Sequence, residues 1–318
     1  MSEPPVITLP VHISLGPTLG LGELGILFSA ILYGIVLSQT YTYYQASFKK
    51  DSPLLKYMVA FICLLETLHS VFLCIAFYWR TVTNFGNFQT LNLMDWTLLI
   101  SNPLTVAIAC IVQTYFSYRV YVLSSLWLYP VFIGVTSLLR LGLGIALAIV
   151  PISLQYDVFL ERFRWLIIFT IVLGFFIDIS NTITLCIFMD KNYNPMLRTW
   201  KFGDKILVWT IETGSIISLC GVIQLVLCLT LDNYIWVFFS FQTAKLYSNA
   251  LLASLNGRIS LRSAQAASHI PPTSLGPRTA ATDLSNLEVR IEMGVERRLD
   301  DHDVSSQKMG SGDNLSLN

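Results

Sequence analysis

Four ionisable residues stand inside segments that are otherwise apolar: Glu66, Arg140, Asp178 and Lys245. In such surroundings a charged side chain can form an ion pair, move a proton or bind the charged group of a ligand. If all four faced lipid, they would cost on the order of 10 to 14 kcal/mol, at about 2.5 to 3.5 kcal/mol each. The sequence therefore predicts that they face one another, water or a ligand inside a bundle of helices.

Seven long apolar segments carry these residues. Of the 318 residues, 54% are hydrophobic and 13% are charged, whereas soluble domains average about 25% charged residues. Each segment has roughly 20 to 28 residues, enough for a helix to cross about 30 Å of hydrocarbon. The predicted spans are 21 to 44, 54 to 79, 97 to 122, 126 to 150, 165 to 189, 206 to 230 and 233 to 256. The predicted fold class is all-α, a polytopic membrane protein with a seven-transmembrane-helix bundle.

Lysine and arginine are distributed unevenly between the two sets of connecting segments. One set holds Lys49, Lys50, Lys56, Arg119, Lys191, Arg198, Lys201, Lys205, Arg258 and Arg262. The other set holds Arg80, Arg162 and Arg164. Because basic residues near helix ends stay in the cytosol, this ratio of ten to three predicts a cytosolic C-terminus and an N-terminus outside. The plasma membrane is favoured over an internal membrane.

With that orientation, the four charged residues share one layer near the middle of the membrane. A rise of 1.5 Å per residue puts Lys245 and Asp178 roughly 18 to 20 Å below the outer surface. The same rise puts Glu66 and Arg140 roughly 18 to 21 Å above the inner surface. Interhelical ion pairs that fix the packing are one interpretation of this layer, and a polar cavity for a ligand or an ion is the other.

Other polar residues extend this layer into a predicted ligand-binding or intramembrane polar site. Its members are Glu66, His69, Arg140, Asp178, Asn181, Glu212, Gln242, Lys245 and Asn249. His69 follows Glu66 by three residues, and Gln242 and Asn249 lie on the same face of the last helix as Lys245. In a ring of seven helices the last helix closes against the first and approaches the second and sixth. Glu66 is therefore predicted as the partner of Lys245, with Glu212 as the second choice.

The chain divides into three parts by composition. Residues 1–20 form a short extracellular segment, and residues 21–258 form the transmembrane domain. Residues 259–318 are rich in Ser, Pro, Gly, Ala, Asp and Arg, which predicts a disordered cytosolic tail. Apolar residues at helical spacing between 284 and 299 could fold against a cytosolic partner. The predicted partners are the lipid bilayer, a small-molecule ligand in the bundle and this cytosolic protein, and not nucleic acid.

The segment KLYSNALLASLNGR, Lys245 to Arg258, resembles the end of the last helix in a large fungal family. The family consists of basidiomycete seven-helix integral membrane proteins of unknown function, which typically end in a segment like KLYSNSLLASLNAR. A looser likeness extends over residues 15–260, and Ala250 and Gly257 stand where the family more often has Ser and Ala. The resemblance implies a shared fold, a last helix that carries Lys and Asn, and a receptor-like layout. It implies no chemistry, because the family has none assigned.

Three functions compete for this layout. A receptor or sensor fits seven helices, an outside N-terminus, short loops and a Ser-rich cytosolic tail. A proton-coupled small-molecule carrier is the alternative, supported by the mixed charges and by a faint match between QTYFSYR at 113 to 119 and QTAKLYSN at 242 to 249. A retinal-type chromophore protein is the third, because microbial rhodopsins bind their chromophore through a seventh-helix lysine. Retinal would also want an acidic residue on the third helix, where Ala107 to Val112 offers none.

Catalytic and metal-binding patterns are absent from the sequence. It contains no Gly-rich phosphate loop, nucleophile elbow or His/Cys pair at zinc spacing. All six cysteines lie inside the predicted helices, where they are expected to act as small packing residues. Neither an enzymatic activity nor a cofactor is expected.

The orientation can be tested with single cysteines placed at Ser2 and at Ser305, in a protein whose six native cysteines have been replaced. On intact cells an impermeant maleimide should label position 2 and leave position 305 unlabelled, because the first is predicted outside and the second inside. Labelling at position 305 together with protection at position 2 would overturn the predicted orientation.

Overall fold

The computed structural model describes seven long helices. The described residues are 19–47, 51–87, 95–153, 156–191, 200–230 and 235–268. The helices are α1 (Leu21–Ser47), α2 (Pro53–Tyr78), α3 (Trp96–Ser124), α4 (Leu128–Ile149), α5 (Tyr156–Lys191), α6 (Trp200–Thr230) and α7 (Ile235–Ser268). A π-helical turn, Trp79–Thr83, continues α2, and a 3₁₀ turn, Val150–Ser153, follows α4. Within the described residues all regular structure is helical, which confirms the all-α class.

Six of the seven helices are long and apolar enough to cross a membrane. These spans are Leu21–Gln45, Pro53–Thr83, Trp96–Val122, Leu128–Ile152, Glu161–Phe188 and Thr213–Thr230. Large apolar side chains such as Leu27, Leu138 and Leu219 are exposed on their outer faces. Exposed apolar faces of this extent are unfavourable in water and suit contact with lipid. The length and composition of these helices are those of a multi-pass membrane protein.

α7 falls outside that set because protein surrounds it. Most of its residues from Phe241 to Leu255 are buried, and they include Gln242, Lys245 and Ser248. α7 packs against α1, α2, α3 and α6. A helix that faces lipid must be apolar, whereas a helix enclosed by protein can carry polar residues whose hydrogen bonds are made inside the bundle. The low hydropathy of α7 is therefore explained by its surroundings, which are other helices of the bundle.

The helices close into a ring. Each consecutive pair packs together, and α7 returns to pack against α1. α3 also contacts α5 and α7, so it lies near the middle of the bundle. The predicted packing of the last helix against the first, second and sixth is confirmed. Residues far apart in the chain can therefore meet in the interior of the ring.

A ladder of amide hydrogen bonds joins α7 to α1. Its rungs are Gln242 Nε2 to the Gly25 carbonyl at 2.8 Å, Asn249 Nδ2 to the Leu32 carbonyl at 3.2 Å and Asn256 Nδ2 to the Gln39 carbonyl at 2.8 Å. Successive rungs are seven residues apart on both helices, and the offset between partners is constant, so the two helices run parallel. A seven-residue repeat keeps the same two faces in contact along parallel helices. The polar stripe of α7 thus fixes the register against α1.

Several helices are longer than the apolar segments from which they were predicted. α5 begins at Tyr156 and α6 at Trp200, ahead of the predicted starts at 165 and 206. α7 continues to Ser268, past the predicted end of the transmembrane domain at 258. Hydropathy reports the part of a helix that suits hydrocarbon, and a helix can continue beyond that part into the polar region. Residues 1–18 of the predicted outer segment and 269–318 of the predicted tail lie outside the described residues.

The ladder can be tested by replacing Asn256 with Leu, which has nearly the same shape and no donor. We expect a loss of about 0.6 to 1.7 kcal/mol, the usual range for a hydrogen bond between membrane helices. Thermal unfolding in detergent measures the loss. Thr136→Val is the matched control, because the Thr136 hydroxyl donates to Phe132 of its own helix. Equal losses in the two variants would show that the contact with α1 contributes nothing.

Candidate functional site

Lys245 and Glu66 form an ion pair between α7 and α2. Lys245 Nζ lies 2.5 Å from Glu66 Oε2, and both side chains are 0% exposed. Nζ also donates to the Glu66 carbonyl at 3.3 Å and contacts His69 Nδ1 at 3.0 Å. An ammonium group has three protons, and these three contacts provide one acceptor for each. The predicted pairing of Lys245 with Glu66 is confirmed. The side chain of the second choice, Glu212, lies outside the described part of the chain.

The contact with Lys245 fixes the tautomer of His69. An ammonium group can only donate, so Nδ1 of His69 must accept and the ring proton lies on Nε2. His69 Nε2 is 3.0 Å from Thr105 Oγ1, and Thr105 donates in turn to the Ser101 carbonyl at 3.0 Å. His69 is therefore a neutral donor toward α3. A chain of hydrogen bonds runs from α7 through α2 to α3.

The remaining faces of the ion pair are also covered. Ser248 donates to the second carboxylate oxygen of Glu66 at 2.6 Å. Lys245 Nζ lies 5.4 Å from the centre of the Tyr33 ring, a favourable position for a cation above an aromatic face. A buried ion pair is tolerated only when further hydrogen bonds satisfy its remaining donors and acceptors. Lys245 and Glu66 meet that condition with protein groups alone.

Asp178 on α5 is bound by neutral donors from two other helices. Its Oδ1 accepts from Gln113 Nε2 of α3 at 2.8 Å, and its Oδ2 accepts from the Tyr247 hydroxyl of α7 at 2.5 Å. Gln113 Nε2 is also 3.0 Å from the Tyr247 hydroxyl. Both carboxylate oxygens of Asp178 thus accept hydrogen bonds from neutral groups.

Three more of the predicted site residues are bonded within the bundle. Asn181 donates to the Gln113 carbonyl at 3.4 Å and accepts from the Tyr129 hydroxyl at 2.9 Å. Gln242 and Asn249 belong to the ladder on α1. The amide groups of all three residues donate to carbonyls on neighbouring helices, so these donors serve the packing of the bundle.

Arg140 differs from Glu66, Asp178 and Lys245 because part of its guanidinium has no hydrogen-bond partner among the described residues. The residue is 7% exposed, and its Nε and Nη1 have no hydrogen-bond partner among the residues that the structure describes. Its charge acts on Asp178 and Tyr247, which lie nearby. The guanidinium rests on α5 at Gly174, where a Cβ atom would lie 2.5 Å from Arg140 Cζ. Glycine at this position makes room for the cation.

A cavity of about 210 Å³ lies beside Arg140. Arg140, Asp178, His69 and Tyr247 form part of its wall. It extends toward the end of the bundle where α2 finishes and α3, α5 and α7 begin, and its wall there includes Arg80, Leu98, Phe159 and Trp236. The opposite half of the bundle holds a buried apolar cluster that includes Ile62, Val112, Leu251 and Leu255. The cavity therefore belongs to one half of the bundle, and Arg140, Asp178, His69 and Tyr247 lie at its inner end, near the middle.

The four charged residues of the predicted layer thus fall into two groups. Glu66 and Lys245 form a closed pair, which His69 connects to the cavity wall. Arg140 and Asp178 line the cavity themselves.

Sequence reasoning missed Gln113, Tyr247 and Gly174. A search for charged residues passes over the neutral donors Gln113 and Tyr247, although a glutamine within an apolar segment was a usable signal. The role of Gly174 depends on where the Arg140 side chain lies, which only the packed helices reveal.

Comparison with known proteins connects part of the chain to one family. A family model described as "Family of unknown function (DUF6534)" matches residues 174–260, which is less than half of the chain. The matched stretch begins at Gly174 and includes Asp178, Lys245 and Tyr247. A search of curated proteins and a search of solved structures each found no match to this chain. The similarity therefore brings no activity with it.

A double-mutant cycle tests the ion pair. Lys245→Met alone should cost about 3 to 5 kcal/mol, because it leaves the Glu66 carboxylate buried without its counter-charge. Adding Glu66→Gln should recover more than half of that loss, since glutamine can still accept from Ser248. Thermal stability in detergent is measured for all four proteins.

The control cycle combines Lys245→Met with Asp178→Asn. The Asp178 carboxylate accepts its hydrogen bonds from Gln113 and Tyr247. These two losses should be close to additive, as expected for residues that do not share a contact. Additive losses in the Glu66 cycle as well would contradict the ion pair.

Proposed function

We propose that this protein is a receptor- or sensor-like membrane protein that binds a small molecule in the cavity between its helices. In this proposal all seven helices cross the membrane, the N-terminus lies outside and the C-terminal tail lies in the cytosol, where a partner protein would bind it. The plasma membrane is the proposed location. The proposal includes no catalytic step.

The observation that carries the proposal is the position of the cavity. It occupies one half of the bundle, ends at polar residues near the middle and is followed by a packed apolar cluster. Ligand sites between helices have this form, a mostly apolar concave wall with a few polar groups that orient the ligand. In the proposed orientation, which rests on the distribution of basic residues between the connecting segments, this half faces the outside. A molecule from outside the cell would therefore enter it directly.

The cavity is also connected to the helices that reach the other side. Tyr247 lies in the cavity wall and belongs to the apolar cluster of the opposite half. His69 lies in the wall and bonds the Lys245 ammonium. A ligand changes a conformational equilibrium when it binds one conformation better than another. Contacts with Tyr247 and His69 would give a bound molecule influence over the packing of α7.

A proton-coupled carrier is the second candidate, because charged residues near the midplane are common in carriers. A carrier must also open the same site toward the cytosol, and there the apolar cluster and the Lys245–Glu66 pair fill the bundle. That packing favours a receptor over a carrier. The retinal alternative is disfavoured, because Lys245 Nζ is bonded to Glu66 and His69 and does not line the cavity.

The proposal can be tested by screening small molecules for thermal stabilisation of the purified full chain. A molecule that binds in the cavity should lose its effect in Gly221→Leu, because Gly221 lines the cavity and an added Cβ there has room, with the nearest atom of Phe175 at 3.9 Å. The leucine would then fill space that the ligand needs. Gly134→Leu is the matched control, since a Cβ there meets nothing within 4 Å.

Stabilising molecules that act equally on wild type and Gly221→Leu would contradict binding in the cavity. Hits that pass this test are then assayed for flux into liposomes containing the protein. Binding without flux is expected for a receptor, and flux that Gly221→Leu abolishes would replace the receptor with the carrier.

A further inference from the structure

We infer that the cavity selects a small molecule with a carboxylate on a mainly apolar body, and that Arg140 binds the carboxylate. This inference rests on the proposed function, because it names the ligand class of the same cavity. It is supported by the ionisable side chains of the cavity wall, the unpaired nitrogen atoms of Arg140, the packing of Arg140 against Gly174 and the size of the cavity.

The wall of the cavity contains both cationic and anionic side chains. Its ionisable members include two arginines, Arg80 and Arg140, one carboxylate, Asp178, and one imidazole, His69. Arginine remains charged in proteins. His69 is neutral, because its Nδ1 accepts a hydrogen bond from Lys245 and so carries no proton. Behind the wall, Lys245 and Glu66 neutralise each other. Arg80 takes part in interactions of its own, so the cation that remains for a ligand is Arg140, whose Nε and Nη1 have no hydrogen-bond partner among the described residues.

Asp178 interacts with Arg140 through its charge, but its hydrogen bonds come from other residues. Its two oxygens accept from Gln113 and Tyr247, at 2.8 and 2.5 Å. Among the residues that the structure describes, Arg140 Nε and Nη1 have no hydrogen-bond partner, although Arg140 is 93% buried, the complement of its 7% exposure. An unsatisfied buried donor is unfavourable, more so when the group is charged. A ligand carboxylate that accepts from these atoms would remove that penalty and gain a charge-assisted hydrogen bond.

The Arg140 guanidinium lies directly against α5 at Gly174. A Cβ at this position would lie 2.5 Å from Arg140 Cζ, 2.6 Å from Nη2 and 2.8 Å from Nε. No side chain other than hydrogen fits there while the guanidinium keeps its position. Because the obstructed atoms are the far end of a flexible side chain, alanine would move Arg140 and leave the helices in place. Gly174 is therefore a positioning residue for the ligand site.

The size and the remaining wall define the body of the ligand. The cavity has a volume of about 210 Å³. It is smaller than the sites of about 300 to 1,000 Å³ that hold drug-sized molecules. Phe159, Phe175, Phe241 and Trp236 contribute aromatic surface to the wall. A short aliphatic chain or a single ring fits this description.

The test compares carboxylates with uncharged molecules of the same shape. The probes are hexanoate, phenylacetate and 3-phenylpropanoate, each with its primary amide and with the amine of equal length. Binding to the full chain in lipid nanodiscs is measured by titration calorimetry. At least one carboxylate should bind, and about ten- to hundredfold more tightly than its amide, the effect expected for one charged hydrogen bond. The amines should bind more weakly still.

Two variants connect this preference to Arg140. Arg140→Gln should remove the preference for the carboxylate over the amide. Gly174→Ala, which keeps the charge and displaces the guanidinium, should lower carboxylate affinity about tenfold or more and leave amide affinity nearly unchanged. Gly142→Ala is the matched control, because a Cβ there meets nothing within 4 Å. If Arg140→Gln does not fold, Gly174→Ala decides the question.

The outcomes separate the inference from the proposed function. Equal binding of carboxylates and amides, abolished by Gly221→Leu, would overturn the role of Arg140 and keep the cavity as a ligand site. A carboxylate preference that survives Gly174→Ala and Arg140→Gln would also overturn it. Absence of binding by every probe would count against both the carboxylate ligand and the cavity as a site for molecules of this size.

Discussion

The contact between Lys245 Nζ and Glu66 Oε2 is the interaction on which the arrangement of α7 depends. An ammonium group near the middle of a membrane is costly unless protein groups accept its protons, so α7 must lie where Glu66 and His69 can reach it. Once α7 is enclosed, its other polar residues also need partners, and three amides find them on the backbone of α1. The pair and the ladder together close the ring of helices.

The same constraint divides the charged residues by how completely protein groups satisfy them. The Lys245 ammonium has an acceptor for each of its protons, and the Asp178 carboxylate has a donor for each oxygen. Arg140 is also buried, but two of its nitrogen atoms have no partner in the described part of the chain, and it lies beside a cavity and against Gly174. A group that serves packing is bonded by its neighbours. A group that keeps unused donors at a cavity wall is suited to a ligand, and this difference identifies Arg140 as the centre of the proposed site.

Much of the bundle follows from the sequence, because apolar length and the cost of buried charge are strong constraints. Seven helices were predicted from apolar segments, and six of the described helices are long and apolar enough to cross a membrane. The geometry of a ring identified Glu66 as the partner of Lys245. Neutral residues carry weaker signals, so Gln113 and Tyr247 emerged only when the helices were packed. Asn181, Gln242 and Asn249 were predicted for the polar site, but their amide donors bond within the bundle. Hydropathy also could not locate the end of α7 at Ser268, because the last part of that helix lies beyond the apolar segment.

Protein groups enclose Lys245, whereas Arg140 faces a cavity that water can enter. Solid-state NMR of the protein in lipid bilayers tests this difference most directly, by measuring how fast magnetisation passes from mobile water to the side-chain nitrogens of the two residues. Assignment of each signal uses Lys245→Met and Arg140→Gln. The account predicts fast transfer to the Arg140 guanidinium and slow transfer to the Lys245 ammonium. Transfer to Lys245 as fast as to Arg140, or faster, would contradict it.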